Sequence, residues 1–246
     1  MYTADSTAIV LVGQARTFAQ CFDNQYWFLY RHLANPTFYV FVEDEPEAAA
    51  VDLLLARYPA DRVHIKRVKT PNDLPVPDPK HALHTGYCGG PPAALIRTLW
   101  NFNEAWKWIE TLKSYEAHRD DRNVVVKCRM DAYFSEFTMP SRAPGDDEAF
   151  GLWWERYGGI NDRLAFFGPG AARAHFTTHQ RLQKILDAGC PLHGETLMAG
   201  SLHLSGCTIH YVLRGWLCLK KTPDERTWCK PFAHPWEIAE FARTTL

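Results

Sequence analysis

Residues 124–134 constrain the fold of this 246-residue chain more than any other stretch. They begin with three consecutive valines, and such a β-branched run favours a buried β-strand. Charged residues then follow at every second position, as Lys127, Arg129 and Asp131. Because side chains alternate along a strand, we predict that these three share one side, opposite the two apolar residues between them.

The position of these charges at the end of an apolar strand indicates a binding site. Burying a charged group is costly unless it has a partner or a ligand. In open α/β sheets, ligands bind beyond the ends of the strands. We therefore predict that the segment forms the floor of an active site that handles an anion. Asp131 has a second interpretation, since it could pair with Arg129 or another cation inside the protein without any role in binding.

Short apolar runs alternate with helical patterns through the first half of the chain. Further strands are predicted at residues 8–12, 38–42, 62–68, 150–154, 164–168, 208–213 and 216–219. Helices are predicted from about residue 17 to 33 and at 47–58, 91–116, 171–188 and 195–204. The alternation predicts an α/β fold, in which helices flank a mostly parallel central sheet within a single Rossmann-like domain spanning residues 1–246.

Composition excludes several classes of protein. A net charge of −1 argues against a chain held on nucleic acid or anionic membrane by bulk electrostatics. The seven cysteines are odd in number and dispersed, which is typical of reduced cysteine in a cytoplasmic protein. We expect no membrane span and no signal peptide, because no apolar stretch approaches about 20 residues and no basic region precedes the first apolar run.

Three further features are candidates for chemistry, although general motifs are missing. The chain has no G-x-x-x-x-G-K-[ST] phosphate loop, no three-glycine dinucleotide fingerprint, no H-E-x-x-H and no G-x-S-x-G. Gly13 allows a ligand to approach the backbone and Arg16 can fork onto a phosphate, or the two form an ordinary turn. Asp162 lies in turn-forming sequence and Glu195 opens a helix, so each acid is either structural or functional.

Taken in order, these features resemble the nucleotide-sugar glycosyltransferases of the GT-A type, in particular small members whose third landmark is an apolar strand ending in R-x-R-x-D. Such sequences also carry a G-x-x-R loop after the first strand, an N-D-R/Q segment before a strand ending in Gly, and a later Glu. The corresponding residues here are Gly13, Arg16, Lys127, Arg129, Asp131, Asn161, Asp162, Arg163, Gly168 and Glu195. The chain departs from the pattern in two ways. Lys127 replaces the first Arg, which keeps the charge but loses the bidentate fork, and no D-x-D pair is present.

The resemblance implies a single GT-A-like domain that transfers a sugar from a nucleotide diphosphate sugar to a hydroxyl acceptor. Its nucleotide-binding half would span about residues 1–135 and its acceptor half about 136–246. The donor would be bound by Gly13, Gln14, Arg16, Lys127 and Arg129.

The resemblance also assigns catalytic roles to three acids. Asp131 would face the diphosphate, either directly or through a Mg²⁺ or Mn²⁺ ion that it binds. Asp162 or Glu195 would remove the proton of the acceptor hydroxyl if the reaction inverts the anomeric carbon.

Several questions stay open at the level of sequence. A Pro- and Gly-rich loop at residues 70–92, with His81, His84 and Tyr87, could close over the substrates. The aromatic residues of the tail either belong to the core or form a platform for the acceptor; they are Trp228, Phe232, His234 and Trp236. The acceptor itself is a saccharide, a small metabolite or a hydroxylated nucleobase of DNA. Alternative functions are a nucleotidyltransferase and a non-catalytic module that binds a nucleotide sugar.

Overall fold

The computed structural model of the chain describes residues 4–44, 46–77, 91–116, 123–154 and 156–219. Eight strands within these ranges form one sheet. They are β1 (Thr7–Gly13), β2 (Pro36–Glu43), β3 (Val63–Val68), β4 (Val124–Cys128), β5 (Ala132–Thr138), β6 (Glu148–Leu152), β7 (Leu164–Phe167) and β8 (Thr208–Leu219). Their order in the sheet is β3-β2-β1-β4-β7-β6-β8-β5.

The sheet is mixed but mostly parallel. Four neighbouring pairs are parallel, namely β1–β2, β2–β3, β1–β4 and β6–β8. Three pairs, β4–β7, β6–β7 and β5–β8, are antiparallel. The chain leaves β1 toward β2 on one side and later returns to β4 on its other side, so the strand order reverses between β1 and β4. In open α/β sheets a crevice forms at the carboxyl ends of such strands.

Helices cover both faces of the sheet, which confirms the predicted α/β class. They are α1 (Phe18–Phe28), α2 (Leu53–Arg57), α3 (Pro92–Glu110), α4 (Lys113–Glu116), α5 (Pro169–Phe176), α6 (Thr178–Asp187) and α7 (Gly194–Leu204). Successive residues of β1 alternate between the two layers. Ile9 packs in a core with Phe22 of α1. Val10 packs in the opposite core with Leu99 and Trp106 of α3.

The predicted strand at residues 124–134 was wrong in its extent. Strand β4 ends at Cys128, and the chain turns before β5, with the Ala132 N–H donating to the Arg129 carbonyl at 3.2 Å. The predicted separation of side chains holds in part. Cys128 and Met130 pack in the core on the α1 face. Lys127, Arg129 and Asp131 line a cleft, which Met130 also borders.

Two other predictions were wrong about where an element is interrupted. One predicted helix is two helices, and two predicted strands are one strand. The predicted helix at 171–188 is two helices, and they meet at Thr177, whose hydroxyl donates to the Arg173 carbonyl at 2.6 Å. The predicted break between 213 and 216 is absent, so β8 is continuous. A Cβ on Gly215 would lie 2.7 Å from the Glu136 carbonyl oxygen, so glycine there permits close strand contact.

Three further helices were predicted as continuous but are interrupted. The predicted helix from about residue 17 to 33 is α1 followed by a 3₁₀ helix, Tyr30–His32. The predicted helix at 47–58 is a 3₁₀ helix, Pro46–Asp52, followed by the five-residue α2. The predicted helix at 91–116 is α3 followed by the separate short helix α4. In each case the apolar spacing identified a helical segment but not its interruption.

Some predictions fall outside the described residues. They concern His81, His84, Tyr87, Trp228, Phe232, His234 and Trp236. In the part of the chain that the structure does describe, no helix combines the length and apolar composition needed to cross a membrane.

Candidate functional site

A cleft of about 500 Å³ lies over the carboxyl ends of β1, β2 and β4, against helix α3. Seven of the eight residues predicted for the site line this cleft, and they are Gly13, Gln14, Arg16, Lys127, Arg129, Asp131 and Asp162. The eighth, Glu195, is not part of the described cleft lining. The sheet therefore brings together site residues that lie as far apart in the sequence as Gly13 and Asp162.

The antiparallel strand β7 explains how Asp162 reaches the end of β4. Cys128 at the carboxyl end of β4 pairs with Leu164 at the amino end of β7. One residue further along, the Arg129 N–H donates to the Arg163 carbonyl at 3.0 Å. Asp162 immediately precedes this contact, so it lies beside Arg129.

Arg129 bridges two carboxylates in the cleft. Its Nε and Nη2 donate to the two oxygens of Asp131, each at 2.9 Å, and its Nη1 donates to Asp162 Oδ2 at 2.8 Å. Burial opposes the charge of Arg129, but Asp162 and Asp131 outweigh it and raise its pKa. Burial likewise opposes the charge of Asp162, yet Arg129 and Lys127 hold the pKa of Asp162 well below its usual range. Asp131 therefore both pairs with Arg129 and faces the cleft, which combines the two interpretations of the sequence.

Lys127 contributes a positive charge that the protein itself does not neutralise by a hydrogen bond. Its side chain is 2% exposed, and among the described residues its Nζ has no hydrogen-bond partner. The ammonium lies 5.3 Å from the centre of the Phe102 ring, within cation–π range. Burial lowers the pKa of Lys127 to about 8, with Asp162 acting in the opposite direction and Arg129 adding to the decrease. A buried ammonium in a cleft wall favours an anionic ligand.

The carboxyl end of β1 presents bare backbone and an arginine to the same cleft. Gly13 has a φ of 122°, and no atom lies within 4 Å of the place where a Cβ would be. Glycine is favoured at this φ, and it leaves open space above the strand end. Arg16 contacts the side chain of Gln14 and also lines the cleft.

Glu43, at the carboxyl end of β2, is a cleft residue that the sequence reasoning missed. Its Oε1 accepts from Thr70 Oγ1 and from Asn101 Nδ2, each at 3.1 Å, and its Oε2 accepts from Gln14 Nε2 at 3.4 Å. The guanidinium of Arg97 lies 3.5 Å from Oε1. The available signal was its position as the first charged residue after the apolar run 38–42.

Gln25 is a second residue that was missed, and it fixes the turn between β4 and β5. This buried residue of α1 directs its amide nitrogen at three backbone carbonyls of the turn. They belong to Arg129 at 3.1 Å, Met130 at 3.0 Å and Ala132 at 2.8 Å. Gln25 thus holds the backbone that carries Arg129 and Asp131.

Glu195 lies beside the charged cluster at the start of α7. Its carbonyl accepts from the Ile160 N–H at 3.1 Å, and a Cβ on Gly159 would lie 1.9 Å from that carbonyl oxygen, so glycine allows the close approach. His193 Nε2 lies 3.5 Å from Glu195 Oε2. Burial and the negative charge of Asp162 raise the pKa of the Glu195 carboxyl.

Two carboxylates that line the cleft, Asp131 and Asp162, are both paired with Arg129. No group of three or more His, Cys, Asp or Glu side chains in the described ranges is arranged to hold a metal ion. Both oxygens of Asp131 already accept from Arg129, and Lys127 adds a second positive charge nearby. Such ions favour sites rich in carboxylate and water oxygens. The metal role of Asp131 therefore stays a prediction.

Comparisons with known proteins give similarity of fold alone. No protein-family model matches the chain, and no curated protein matches its sequence. Similar solved structures include galactosyltransferase LgtC with donor and acceptor sugar analogues, at 10% identity and a TM-score of 0.47 over 79% of this chain and 69% of that one. Mouse xyloside xylosyltransferase 1, apo form, has 11% identity and a TM-score of 0.38 over 84% of each chain. A nucleoside-diphosphate-sugar pyrophosphorylase from Vibrio cholerae has 12% identity and a TM-score of 0.40 over 96% of this chain and 99% of that one. Similarity at this level assigns neither a family nor a reaction.

Proposed function

We propose that this chain is a glycosyltransferase, which moves a sugar from a nucleotide diphosphate sugar onto a hydroxyl acceptor. The observation that carries the proposal is the buried ammonium of Lys127, which lacks a hydrogen-bond partner within the described ranges and lines the same cleft as Arg129. A diphosphate in the cleft would supply that partner through charge-assisted hydrogen bonds. It would also offset the cost of burying the charge.

The arrangement of cations suits the departure of a diphosphate. Arg16 follows β1, whereas Lys127 and Arg129 lie at the end of β4, so positive charges stand on both sides of the crevice. As the bond to the sugar breaks, the diphosphate gains negative charge. Cations that are already fixed in position stabilise such charge most effectively. Hydrogen bonds to Asp131 and Asp162 hold the guanidinium of Arg129 in position.

The transfer itself requires a base for the acceptor. The acceptor oxygen forms a bond to the anomeric carbon, the bond from that carbon to the diphosphate oxygen breaks, and the diphosphate leaves with the electron pair. The acceptor proton passes to a carboxylate, either Asp162 in the cleft or Glu195 beside the charged cluster. Arg129 and Lys127 lower the pKa of Asp162 and make it a weak base, whereas burial and Asp162 raise the pKa of Glu195.

The alternative functions receive less support from this geometry. A nucleotidyltransferase commonly uses two carboxylates to hold metal ions at the reacting phosphate. Here Arg129 pairs with both Asp131 and Asp162. A non-catalytic binding module would need the same cations, so only turnover separates it from a transferase.

The proposal is tested by binding followed by turnover. Nucleoside diphosphates should raise the melting temperature of the protein by mass action, and the matched nucleosides should raise it less. The shift should decrease in Lys127→Met and persist in Lys184→Met, a control at an exposed lysine of α6. With the corresponding nucleotide sugar, the protein should release nucleoside diphosphate, faster once a suitable acceptor is added.

Two results would contradict the proposed function. If no nucleoside diphosphate or nucleotide sugar shifted the melting temperature, or if the shift were the same in Lys127→Met, the cleft would not bind a diphosphate through that residue. If a nucleotide sugar bound but no diphosphate were released across a panel of saccharides, small hydroxylated metabolites and hydroxymethylated DNA, the binding module would replace the transferase.

A further inference from the structure

Glu43 is a carboxylate in the cleft that the proposed transfer does not use. It lies at the carboxyl end of β2, and its side chain is 18% exposed. Four polar side chains surround it, and all of them also lie at strand ends or on α3. These contacts hold the carboxylate of Glu43 in one orientation in the cleft wall.

The two oxygens of Glu43 differ in how fully they are used. Oε1 accepts from Thr70 and Asn101 at 3.1 Å and has Arg97 at 3.5 Å. Among the described residues, Oε2 accepts only a long hydrogen bond from Gln14 at 3.4 Å. Because an ionised carboxylate can accept about four hydrogen bonds, Oε2 retains capacity for a ligand.

The order of strands relates Glu43 to the cations that would bind the diphosphate. β4, β1 and β2 are consecutive in the sheet, and neighbouring strands lie about 4.8 Å apart. Arg16 follows β1, while Lys127 and Arg129 lie at the end of β4, so the diphosphate falls over the crevice between β1 and β4. In a nucleotide the ribose is joined directly to the diphosphate. Continuing in the same direction by one strand spacing leads to the end of β2 and to Glu43.

The chemistry of a carboxylate at this position matches a ribose. The 2′- and 3′-hydroxyls of ribose are neighbouring donors, and one carboxylate can accept from both. In dinucleotide-binding sheets an acid after the second strand binds ribose in this manner. That general arrangement applies here without the glycine-rich loop, since the phosphates would be held by side chains.

We propose that Glu43 accepts hydrogen bonds from the ribose hydroxyls of the donor nucleotide, with Thr70 and Asn101 holding it in position. The donor is then a sugar carried by a ribonucleoside diphosphate, and not by thymidine diphosphate or another 2′-deoxynucleotide. This inference rests on the proposed function, because it takes the diphosphate to bind at Lys127 and Arg129.

The test compares ribonucleotides with deoxyribonucleotides by calorimetric titration. UDP, GDP, CDP and ADP are each paired with their 2′-deoxy and 3′-deoxy counterparts, and thymidine diphosphate is added to the panel. For the ribonucleotide that binds most tightly, loss of either hydroxyl should weaken binding to the wild-type protein about tenfold, because the acceptor is charged. Glu43→Gln should reduce this preference to about twofold or less, since the amide replaces one acceptor oxygen with a donor. The exposed neighbour Asp44 provides the matched control, and Asp44→Asn should keep the full preference.

The outcomes separate this inference from the proposed function. Equal binding of ribo- and deoxyribonucleotides by the wild type, together with a loss in Lys127→Met, would overturn the role of Glu43 and leave the diphosphate site intact. A preference that survives in Glu43→Gln would have the same consequence. Absence of any diphosphate binding to the wild type would overturn both. Equal binding of ribo- and deoxyribonucleotides by the wild type would overturn the inference even if Glu43→Gln folds poorly.

Discussion

Two arginine–carboxylate clusters lie at opposite ends of the strands of the same sheet, one where β4 ends and one at the far edge, where β4 begins. The cleft cluster consists of Arg129, Asp131 and Asp162 at the carboxyl end of β4. The far-edge cluster consists of Arg142 and Glu148, with His210 Nε2 3.0 Å from the carboxylate. Glu148 opens β6, and its carbonyl accepts from Gly168 just after β7, which is the edge where β4 begins.

The two clusters contain similar forks but differ in their surroundings. At the far edge the side chain of Arg142 is 54% exposed, and its hydrogen bonds lower the pKa of Glu148 to about 2. Each charge there has a partner and contact with solvent. Beside the cleft cluster lies the buried ammonium of Lys127, which no hydrogen bond from the described part of the chain satisfies. An ion pair alone is therefore weak evidence of function, whereas a neighbouring buried ammonium without a hydrogen-bond partner among the described residues is stronger evidence.

The largest expected effect on turnover is that of replacing the bidentate arginine of the cleft cluster, and the same replacement at the far edge is its control. Arg129→Lys keeps the charge but loses the bidentate geometry, so turnover should fall about 100-fold, as when one preorganised donor to a transition state is removed. Arg142→Lys makes the same change at the far edge and should leave turnover within about twofold. Steady-state kinetics with a nucleotide sugar measures both. Equal losses in the two variants would remove the functional distinction between the clusters.

Replacing the buried lysine should separate binding from stability. Lys127→Met removes a charge-assisted contact, so affinity for nucleoside diphosphates should fall about 10- to 50-fold. Because it also removes a buried charge, unfolding of the ligand-free protein should require roughly 1–3 kcal/mol more. Calorimetric titration and urea denaturation measure the two quantities. A variant that was both destabilised and unchanged in affinity would indicate that Lys127 is a structural residue.

Gln25 should have a smaller effect, through the backbone of the cleft cluster. Gln25→Leu removes the amide donor to the Met130 and Ala132 carbonyls, so stability should fall by about 1–3 kcal/mol. Turnover should fall about tenfold as Arg129 loses its fixed position. The exposed Gln183 of α6 provides the control, and Gln183→Leu should change neither quantity appreciably. Loss of stability with full turnover at saturating substrate would mean that the turn does not need this support.

The smallest expected effect is that of a chelator. Since Arg129 and Lys127 already supply positive charge to the cleft, EDTA should change turnover by less than about twofold. A large loss that Mn²⁺ or Mg²⁺ restores would contradict this account and support the metal role of Asp131.

The sequence predicted which residues line the cleft better than it predicted the extent of elements. A change from apolar to charged residues marks where a buried strand approaches a crevice, so Arg16, Lys127 and Asp131 were expected at one site, and all three line the cleft. The same signal exists at Glu43, but three consecutive acids follow that strand. Only the contacts with Thr70 and Asn101 distinguish Glu43 from its neighbours, and these depend on tertiary structure.

Residues that act through distant backbone had no signal in the sequence. Gln25 lies more than 100 positions from the carbonyls that it binds. The turn between β4 and β5 interrupts an otherwise continuous strand pattern, and nothing local to Arg129 and Met130 predicts it. Such features follow from how α1 packs on the sheet, so they could be identified only in the folded chain.

Proton uptake on binding tests the role of Lys127 most directly. With its pKa near 8, about half of the Lys127 side chains in the free protein lack the proton at pH 8. Because a bound diphosphate favours the charged form, binding at this pH should take up about half a proton. Above about pH 7, where the terminal phosphate is already fully ionised, affinity should fall as the pH rises through 8. Titration calorimetry of the preferred nucleoside diphosphate in two buffers of different ionisation enthalpy measures the uptake. We predict about half a proton for the wild type and close to none for Lys127→Met; binding without uptake, or the same uptake in both proteins, would contradict the central claim.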